Sequence, residues 1–369
     1  MSPQSSSPKS SSCPLRHSRL ALALAMAWQV GATSNVSAAT EDRFVNLRGV
    51  APRVQDIAPV RPVDGLNPDI DKLLDQPTDL WERIRLGFAM SDLDGKIVKQ
   101  QEAWYAARPE LVQAIFQRSR RYLHFIVEEM ERQGLPTELA LLPFVESGFN
   151  PLALSSAQAA GLWQFIPETG TKYKLTQSSF YDAREDVVAS TSAAIEYLQF
   201  LYRFNDNDWH RALASYNWGE LAVARAVDRN RVRGLGDAYS SLTMPEETRN
   251  YVPRLQAVKN IVRNPAAFGI TLTELPNEPT FAVIPTTQVL DLKRAAELAE
   301  MAQDEFLALN PAFNRAQAPV AVKDGLAIPL TKVEAFKANL ARYVDNLAKS
   351  VKAVVTRVRG AKPAPTARF

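Results

Sequence analysis

Cysteine is nearly absent from this chain: Cys13 stands alone among 369 residues. One thiol makes no intrachain disulfide, so no disulfide framework holds this fold in any compartment. Histidine is almost as scarce, with three residues. His124 and His210 are too isolated in sequence to form a recognisable metal site, each reads as a structural residue, and no metal or cofactor is expected. Net charge is missing as well. The 43 lysines and arginines barely exceed the 40 aspartates and glutamates, and the excess of three falls in residues 1–38 as Lys9, Arg16 and Arg19. The remainder is neutral, which leaves no net field to draw it to nucleic acid. The apolar stretch from Leu20 to Ala32 is short and interrupted, which disfavours it as a membrane span.

That stretch follows the three bases and leads to Val36-Ser37-Ala38, a small-residue pattern like that of a signal peptidase site. Residues 1–38 therefore read as an export signal cleaved after Ala38, with an uncleaved N-terminal anchor as the alternative. Cys13 precedes the apolar run, whereas an acylated lipoprotein cysteine follows one, so a lipid anchor on this thiol is not expected. Residues 39–95 form a Pro-rich segment; Pro52, Pro59, Pro62, Pro68 and Pro77 leave little periodicity and suggest extended chain up to Pro77.

Helical signals follow. Pro109 suits a first helical position, Leu111, Ile115, Tyr122, Ile126 and Met130 recur at helical spacing, and Gly134 marks a stop. Pro136 opens a short helix with Leu139, Leu142 and Val145 on one face and Glu146 at its end. Further helices are read over 184–204, from Asp208 as N-cap to Tyr216, over 219–230 and over 245–263. Gly161-Leu162-Trp163-Gln164-Phe165-Ile166-Pro167 is too short and too bounded by Gly and Pro for another long helix. Residues 96–268 thus read as an all-helical domain. Over 274–335 the order becomes strand (280–284), helix (292–301), helix (304–309), strand (326–329), a small α+β module. Residues 336–369 read as helix passing into a basic tail. From Lys349 onward there are six bases and no acid, which suggests a solvated, disordered end, or, as the sharper reading, weak binding to an anionic membrane or wall polymer.

Glu146 is a candidate for acid–base chemistry. It lies in Leu142-Pro143-Phe144-Val145-Glu146-Ser147-Gly148-Phe149, a carboxylate among apolar neighbours. Loss of hydration disfavours the charged form, so a Glu in such a setting can rise from about 4.3 toward roughly 6 and donate a proton near neutrality. A solvated helix residue is the plain alternative.

Three motifs line up in order: Glu146-Ser147, then Gly161-Leu162-Trp163-Gln164, then Ser215-Tyr216-Asn217. They resemble the Glu-Ser, Gly-Leu-x-Gln and Ala-Tyr-Asn pattern of soluble lytic transglycosylase (SLT) catalytic domains. Trp81-Glu82-Arg83-Ile84-Arg85, Leu135-Pro136-Thr137-Glu138-Leu139 and Glu247-Thr248-Arg249-Asn250-Tyr251-Val252-Pro253 add a resemblance to the membrane-bound lytic murein transglycosylase D type over residues 81–335. Ser215 stands where Ala is usual and Trp163 where Met or another apolar residue is common; both could alter sugar contacts.

The resemblance implies a mainly α protein, a lysozyme-like helical catalytic domain followed by a small LysM-like module. It also implies non-hydrolytic cleavage of the bond between N-acetylmuramic acid and N-acetylglucosamine in peptidoglycan. Glu146 would be the single acid and base. Ser147 would hydrogen-bond near Glu146 or hold the turn. Gln164 would recognise an N-acetyl group or sugar hydroxyls, or satisfy loop backbone. Tyr216 and Asn217 would orient the sugar or Glu146, or cap structure. Tyr251 would reach the catalytic carboxyl, although a helix-borne Tyr is more often core. Peptidoglycan glycan strands are the implied partner, in the periplasm, with association to a membrane; oligomeric state has no signal in the sequence. In the C-terminal module Leu309-Asn310-Pro311 and Leu326-Ala327-Ile328-Pro329 resemble the later half of a LysM repeat. The Gly-Asp-Thr turn near its start is replaced around Thr287-Gln288-Val289-Leu290-Asp291, so packing against the helical domain competes with glycan binding.

Two other readings compete. A hydrolase of the same fold needs a second carboxylate across the cleft, for which Glu168, Asp182, Glu185 and Asp186 are candidates. A non-catalytic wall-binding protein would not need Glu146.

Overall fold

The computed structural model describes residues 77–285, 289–313, 320–321 and 325–360. The expected export signal and most of the Pro-rich segment lie outside the described residues. The chain is mainly α. Ten α-helices build the larger part: α1 Leu80–Leu86, α2 Lys96–Ala106, α3 Pro109–Ser119, α4 Leu123–Arg132, α5 Leu142–Glu146, α6 Pro167–Lys172, α7 Val187–Phe204, α8 Trp209–Trp218, α9 Glu220–Val232 and α10 Glu246–Arg263. A 3-10 turn, Thr137–Leu141, runs directly into α5.

Local chemistry sets the ends. Asp79, Asp186 and Asp208 are N-caps whose carboxylates accept from backbone N–H groups of α1, α7 and α8. Helix α1 begins only three residues past Pro77, and Trp81 inserts into the core edge-on to Phe116, its indole N–H donating to Thr273 O at 3.0 Å. The apolar spacing from Leu111 to Met130 is shared by two helices, not one. Ser119 Oγ donates to Phe116 O at 2.7 Å, and Tyr122 N closes a turn on Ser119 O at 2.8 Å, so the last carbonyls of α3 are satisfied locally and the helix stops. The break aims Tyr122 at the C-terminal module, where its hydroxyl donates to Ala308 O at 2.6 Å.

Helix α10 packs on α2 and α8 and carries Pro253 in its middle. Proline has no N–H, so the Arg249 carbonyl one turn back loses its helical partner. The Tyr239 hydroxyl replaces it, donating to Arg249 O at 2.9 Å and to Thr248 O at 2.8 Å. Below this helix lies a buried ion pair. Glu138, with no exposed surface, meets Lys259 Nζ at 2.8 Å and accepts from the N–H groups of Ala89 and Met90. The charge is thus both neutralised and hydrogen-bonded, which a buried carboxylate requires. The pair ties α10 to the turn that leads into α5.

The C-terminal part contains β1 Phe281–Ile284, β2 Val289–Leu290, α11 Leu292–Leu298, α12 Gln303–Leu309, β3 Val320–Ala321, β4 Leu326–Pro329 and α13 Val333–Gly360. Strands β1 and β4 pair antiparallel with Phe281 opposite Pro329 and Ile284 opposite Leu326. Beyond the strand-helix-helix-strand order read from sequence there is a second antiparallel pair, β2 with β3, whose two-residue strands are too short to show a period. Asn310 holds α12 to β4: its amide donates to Ala327 O at 2.9 Å and its oxygen accepts from Ala327 N at 2.9 Å. The module packs on the helices. Asp182 N donates to Ala312 O at 2.9 Å, Thr280 Oγ1 to Arg121 O at 2.8 Å, and Phe281 lies against Phe125. In place of an early basic tail, α13 runs through Lys349 to Gly360; residues 361–369 lie outside the described residues. Among the described residues no helix is long and apolar enough to cross a membrane.

Candidate active site

Glu146 is the last residue of helix α5. Pro143 at its start fixes the first turn, and Ser147 N and Phe149 N both return to Pro143 O at 3.1 and 3.0 Å. Gly148 and Phe149 take left-handed backbone at φ 57° and 55°, a conformation costly for Phe and held here by its completely buried ring. The Gly148 carbonyl accepts from Arg118 Nε at 2.7 Å. The chain therefore reverses immediately after Glu146 and leaves its partly buried carboxyl at the open end of the helix.

The loop 158–165 forms one neighbouring wall. Gly161 has φ 83°, and a Cβ there would lie 1.9 Å from Arg184 O, so only glycine fits. Gln164, also left-handed at φ 51°, sends its amide N–H groups to Ala153 O at 3.1 Å and Gly161 O at 2.9 Å. Its donors thus satisfy loop backbone. Ser147 Oγ donates to Leu162 O at 2.9 Å and to Pro143 O at 3.2 Å, which makes it the clasp between the end of α5 and this loop. Arg184, held by Asp182 at 2.6 Å, donates to Gln158 O at 2.6 Å and Phe165 O at 3.1 Å.

Helices α8 and α10 close the site. The Tyr216 hydroxyl donates to Trp163 O at 2.8 Å, and the Tyr251 hydroxyl donates to Glu146 Oε1. Asn217 accepts from Thr248 Oγ1 at 2.7 Å and offers its amide to Glu247 Oε1 at 3.5 Å. Burial pushes the Glu146 carboxyl up to about 7; the Tyr251 hydrogen bond opposes this, the negative charge of Glu247 adds to it, and Arg254 weakly opposes it. Burial, with the Glu146 charge next to it, holds both Tyr216 and Tyr251 protonated well past their ordinary range. A carboxyl titrating near neutrality is populated in both forms, so it can give a proton and then take one back.

The structure brings Glu146, Ser147, Gln164, Tyr216 and Tyr251 together through this network, with Asn217 joined to it through Thr248 and Glu247. Two expectations about sugar contacts need correction. Ser215 and Trp163 have no exposed surface. Ser215 Oγ is bonded to Asn205, and the Trp163 indole donates to Thr191 Oγ1 at 3.0 Å, so both side chains point into the core. Of the carboxylates considered as a second catalytic group, Asp182 is spent on Arg184 and Asp186 on capping α7. Glu168 is exposed in the first turn of α6. Burial and the nearby Asp182 push Glu185 up to about 7. The carboxylate whose charge reaches Glu146 is Glu247, to which its sequence motif assigns no role. Its signal was the i, i+4 spacing to Tyr251, which sets both on one face of α10.

The Transglycosylase SLT domain family matches residues 124–234, and the family described as "Lytic transglycosylase MltD, LysM-like domain" matches residues 280–345. The chain is 34% identical over 232 residues to membrane-bound lytic murein transglycosylase D of Escherichia coli (strain K12), covering 63% of this chain and 51% of that protein. It is 37% identical over 171 residues to a protein named for tributyltin chloride resistance in Alteromonas sp. (strain M-1), covering 46% of this chain and 79% of that one. It is 27% identical over 184 residues to membrane-bound lytic murein transglycosylase C of Glaesserella parasuis serovar 5 (strain SH0165), covering 43% and 50%. The chain spans about half the length of the two transglycosylases. Glu146, Ser147, Gln164, Tyr216 and Asn217 all fall inside the SLT match; Glu247 and Tyr251 lie beyond its end.

Proposed function

Because the chain belongs to the family of proteins built on a transglycosylase SLT domain, we propose that it is a peptidoglycan lytic transglycosylase with Glu146 as its single acid and base. The observation that carries this reading is a carboxyl held near a pKa of about 7 at the open end of α5, with the Tyr251 hydroxyl on it. Protonated Glu146 gives its proton to the glycosidic oxygen between N-acetylmuramic acid and N-acetylglucosamine as that bond to C1 breaks. The resulting carboxylate takes the proton from the muramic C6 hydroxyl, whose oxygen bonds to C1. The products are a free sugar hydroxyl and a 1,6-anhydromuramic end; no water is consumed and the enzyme returns to its starting form. The tethered hydroxyl replaces a bimolecular water, an advantage of large effective molarity.

The supporting roles follow from the contacts. Tyr251 stabilises the carboxylate as it forms. Ser147, Gln164 and Tyr216 hold the α5 end and the loop 158–165 in place, and Asn217 positions Glu247. Gln164 keeps its carbonyl oxygen for an N-acetyl N–H of the glycan. Residues 96–268 with helix α1 make the catalytic domain and residues 274–335 a LysM-like module. Glycan strands of peptidoglycan are the partner, and the enzyme works in the periplasm; the names of its transglycosylase relatives support association with a membrane.

Glu247 gives the hydrolytic alternative its footing, since it is a second carboxylate whose charge reaches Glu146. Mass analysis of released muropeptides separates the two: anhydro ends support the proposal, and reducing ends one water heavier overturn it. The Glu146→Gln variant, nearly isosteric but without a transferable proton, should be folded and inactive; wild-type release by that variant would also overturn it.

A further inference from the structure

Among the described side chains of helix α13 an apolar stripe runs from Val333 to Val351, and the described residues cover only its first part. Val333 and Phe336 are 8% and 0% exposed, and Leu340 and Tyr343 pack against the core. The Asn339 amide donates to Leu298 O at 2.9 Å, and the Arg294 guanidinium lies 5.5 Å over the Tyr343 ring. Past Tyr343 the same stripe continues uncovered: Val344, Leu347 and Val351 are 37%, 41% and 61% exposed. At about 100° per residue all seven fall within an arc of roughly 100–120°, the width of a core-facing helical stripe. The sequence prolongs the spacing at Val354, Val355 and Val358.

Charge decides what such a face suits. After Asp345, which pairs with Lys349 at 2.6 Å, the sequence to residue 369 has no acid and six bases: Lys349, Lys352, Arg357, Arg359, Lys362 and Arg368. Two copies of this helix laid together would set like charges against each other. A wall glycan would meet the bases but leave the apolar stripe in water. An anionic bilayer surface uses both, with acyl chains taking the stripe and headgroups taking the bases. We propose that residues 344–360 of α13 form an interfacial membrane-binding helix, which lies along an anionic lipid surface and does not span it. The segment is about 25 Å long at ~1.5 Å per residue, so between four and five turns lie in the interface. This surface is independent of the chemistry at Glu146.

The test uses the full chain with Cys13→Ser and single cysteines L347C, V351C or N346C, the last outside the stripe, each labelled with an environment-sensitive dye. Vesicles of phosphatidylethanolamine and phosphatidylglycerol should shift emission to the blue at L347C and V351C and leave N346C unmoved. Vesicles of phosphatidylcholine alone should do little, and raised salt should weaken the effect. Lys349→Gln with Lys352→Gln should raise the lipid concentration at the midpoint by roughly fivefold per base removed. The proposal is overturned if no shift occurs, if neutral vesicles match anionic ones, if purified sacculi alone produce the shift, or if the stripe is already blue-shifted without lipid. That last result would mean that another part of the chain or a second copy covers it. A local probe reads the helix itself, so attachment through residues 1–38 neither mimics nor hides the result.

Discussion

The Tyr251→Phe substitution removes one oxygen from the site and tests how Glu146 is tuned. The Tyr251 hydroxyl hydrogen-bonds the Glu146 carboxylate and lowers its pKa, against the burial that raises it to about 7. A hydrogen bond to a charged group contributes about 1.5–3 kcal/mol. At about 1.4 kcal/mol per unit, its loss moves Glu146 upward by about one to two pKa units. The same energy enters the rate. As the proton leaves for the glycosidic oxygen, carboxylate charge grows on Glu146, and the hydroxyl that would stabilise it is gone. Turnover on the acid side of the profile should therefore fall by about 10- to 100-fold. Because cleavage begins from protonated Glu146, kcat/KM for the wild type declines as pH rises through about 7. In the variant the lower plateau should extend one to two pH units further before it declines. The assay is a pH–rate profile on soluble glycan strands, with carboxyl titration followed by isotope-edited infrared spectroscopy. Tyr251 is 2% exposed, so thermal unfolding must first show that the variant folds. An unchanged titration, or a shift toward acid, would refute the reasoning.

Other substitutions probe the same arrangement. Glu247→Gln removes the negative charge that raises Glu146, so the alkaline decline of kcat/KM should move to lower pH, opposite to Tyr251→Phe; a move upward would contradict the assignment. Glu146→Gln should stabilise the protein at high pH. The folded pKa of about 7 lies above the unfolded value, so stability is lost as pH rises from about 4.5 to 7, by about 3 kcal/mol in all. Denaturant titrations should find variant and wild type similar near pH 4 and the variant more stable at pH 8. Gly161→Ala sets a Cβ 1.9 Å from Arg184 O and should cost several kcal/mol, with a lowered Tm and lost activity together; a wild-type Tm would show that the loop yields. Lys259→Met strands the buried Glu138 charge and should destabilise the protein by about 3–5 kcal/mol in urea unfolding.

Element ends were legible wherever one residue type performs one local task. Asp208 caps α8, Pro109 opens α3, and Gly134 ends the turn after α4, because caps and stops act within a few residues. The division of α3 from α4 was not legible, since the apolar period runs through Arg120–Tyr122 unbroken and the stop comes from a Ser119 side-chain bond and a contact with Ala308, nearly 190 residues away. The extent of α13 was hidden for the opposite reason. Its bases suggested a solvated tail, and only the stripe shared with Phe336 shows one helix. Among the candidate site residues, chemical type marked Glu146, but direction did not follow from type. Ser215 sits next to Tyr216 in sequence yet faces Asn205, because neighbours on a helix point about 100° apart. Glu247 carried no apolar context to single it out, and its effect on Glu146 depends on how α10 lies across the end of α5.

The loop 158–165 is gripped by its carbonyls. Gly161 O is taken by Gln164, Leu162 O by Ser147, Trp163 O by Tyr216 and Phe165 O by Arg184. A carbonyl is the same in every residue, so the loop's shape is written in the four donors and hardly at all in the side chains at 162, 163 and 165. Those three buried positions are constrained by core volume, so apolar replacements of like size leave the wall beside Glu146 in place. The donors have no such freedom, and a library that varies only 162, 163 and 165 among large apolar residues, with Gly161, Ser147, Gln164, Arg184 and Tyr216 fixed, should stay rich in active clones.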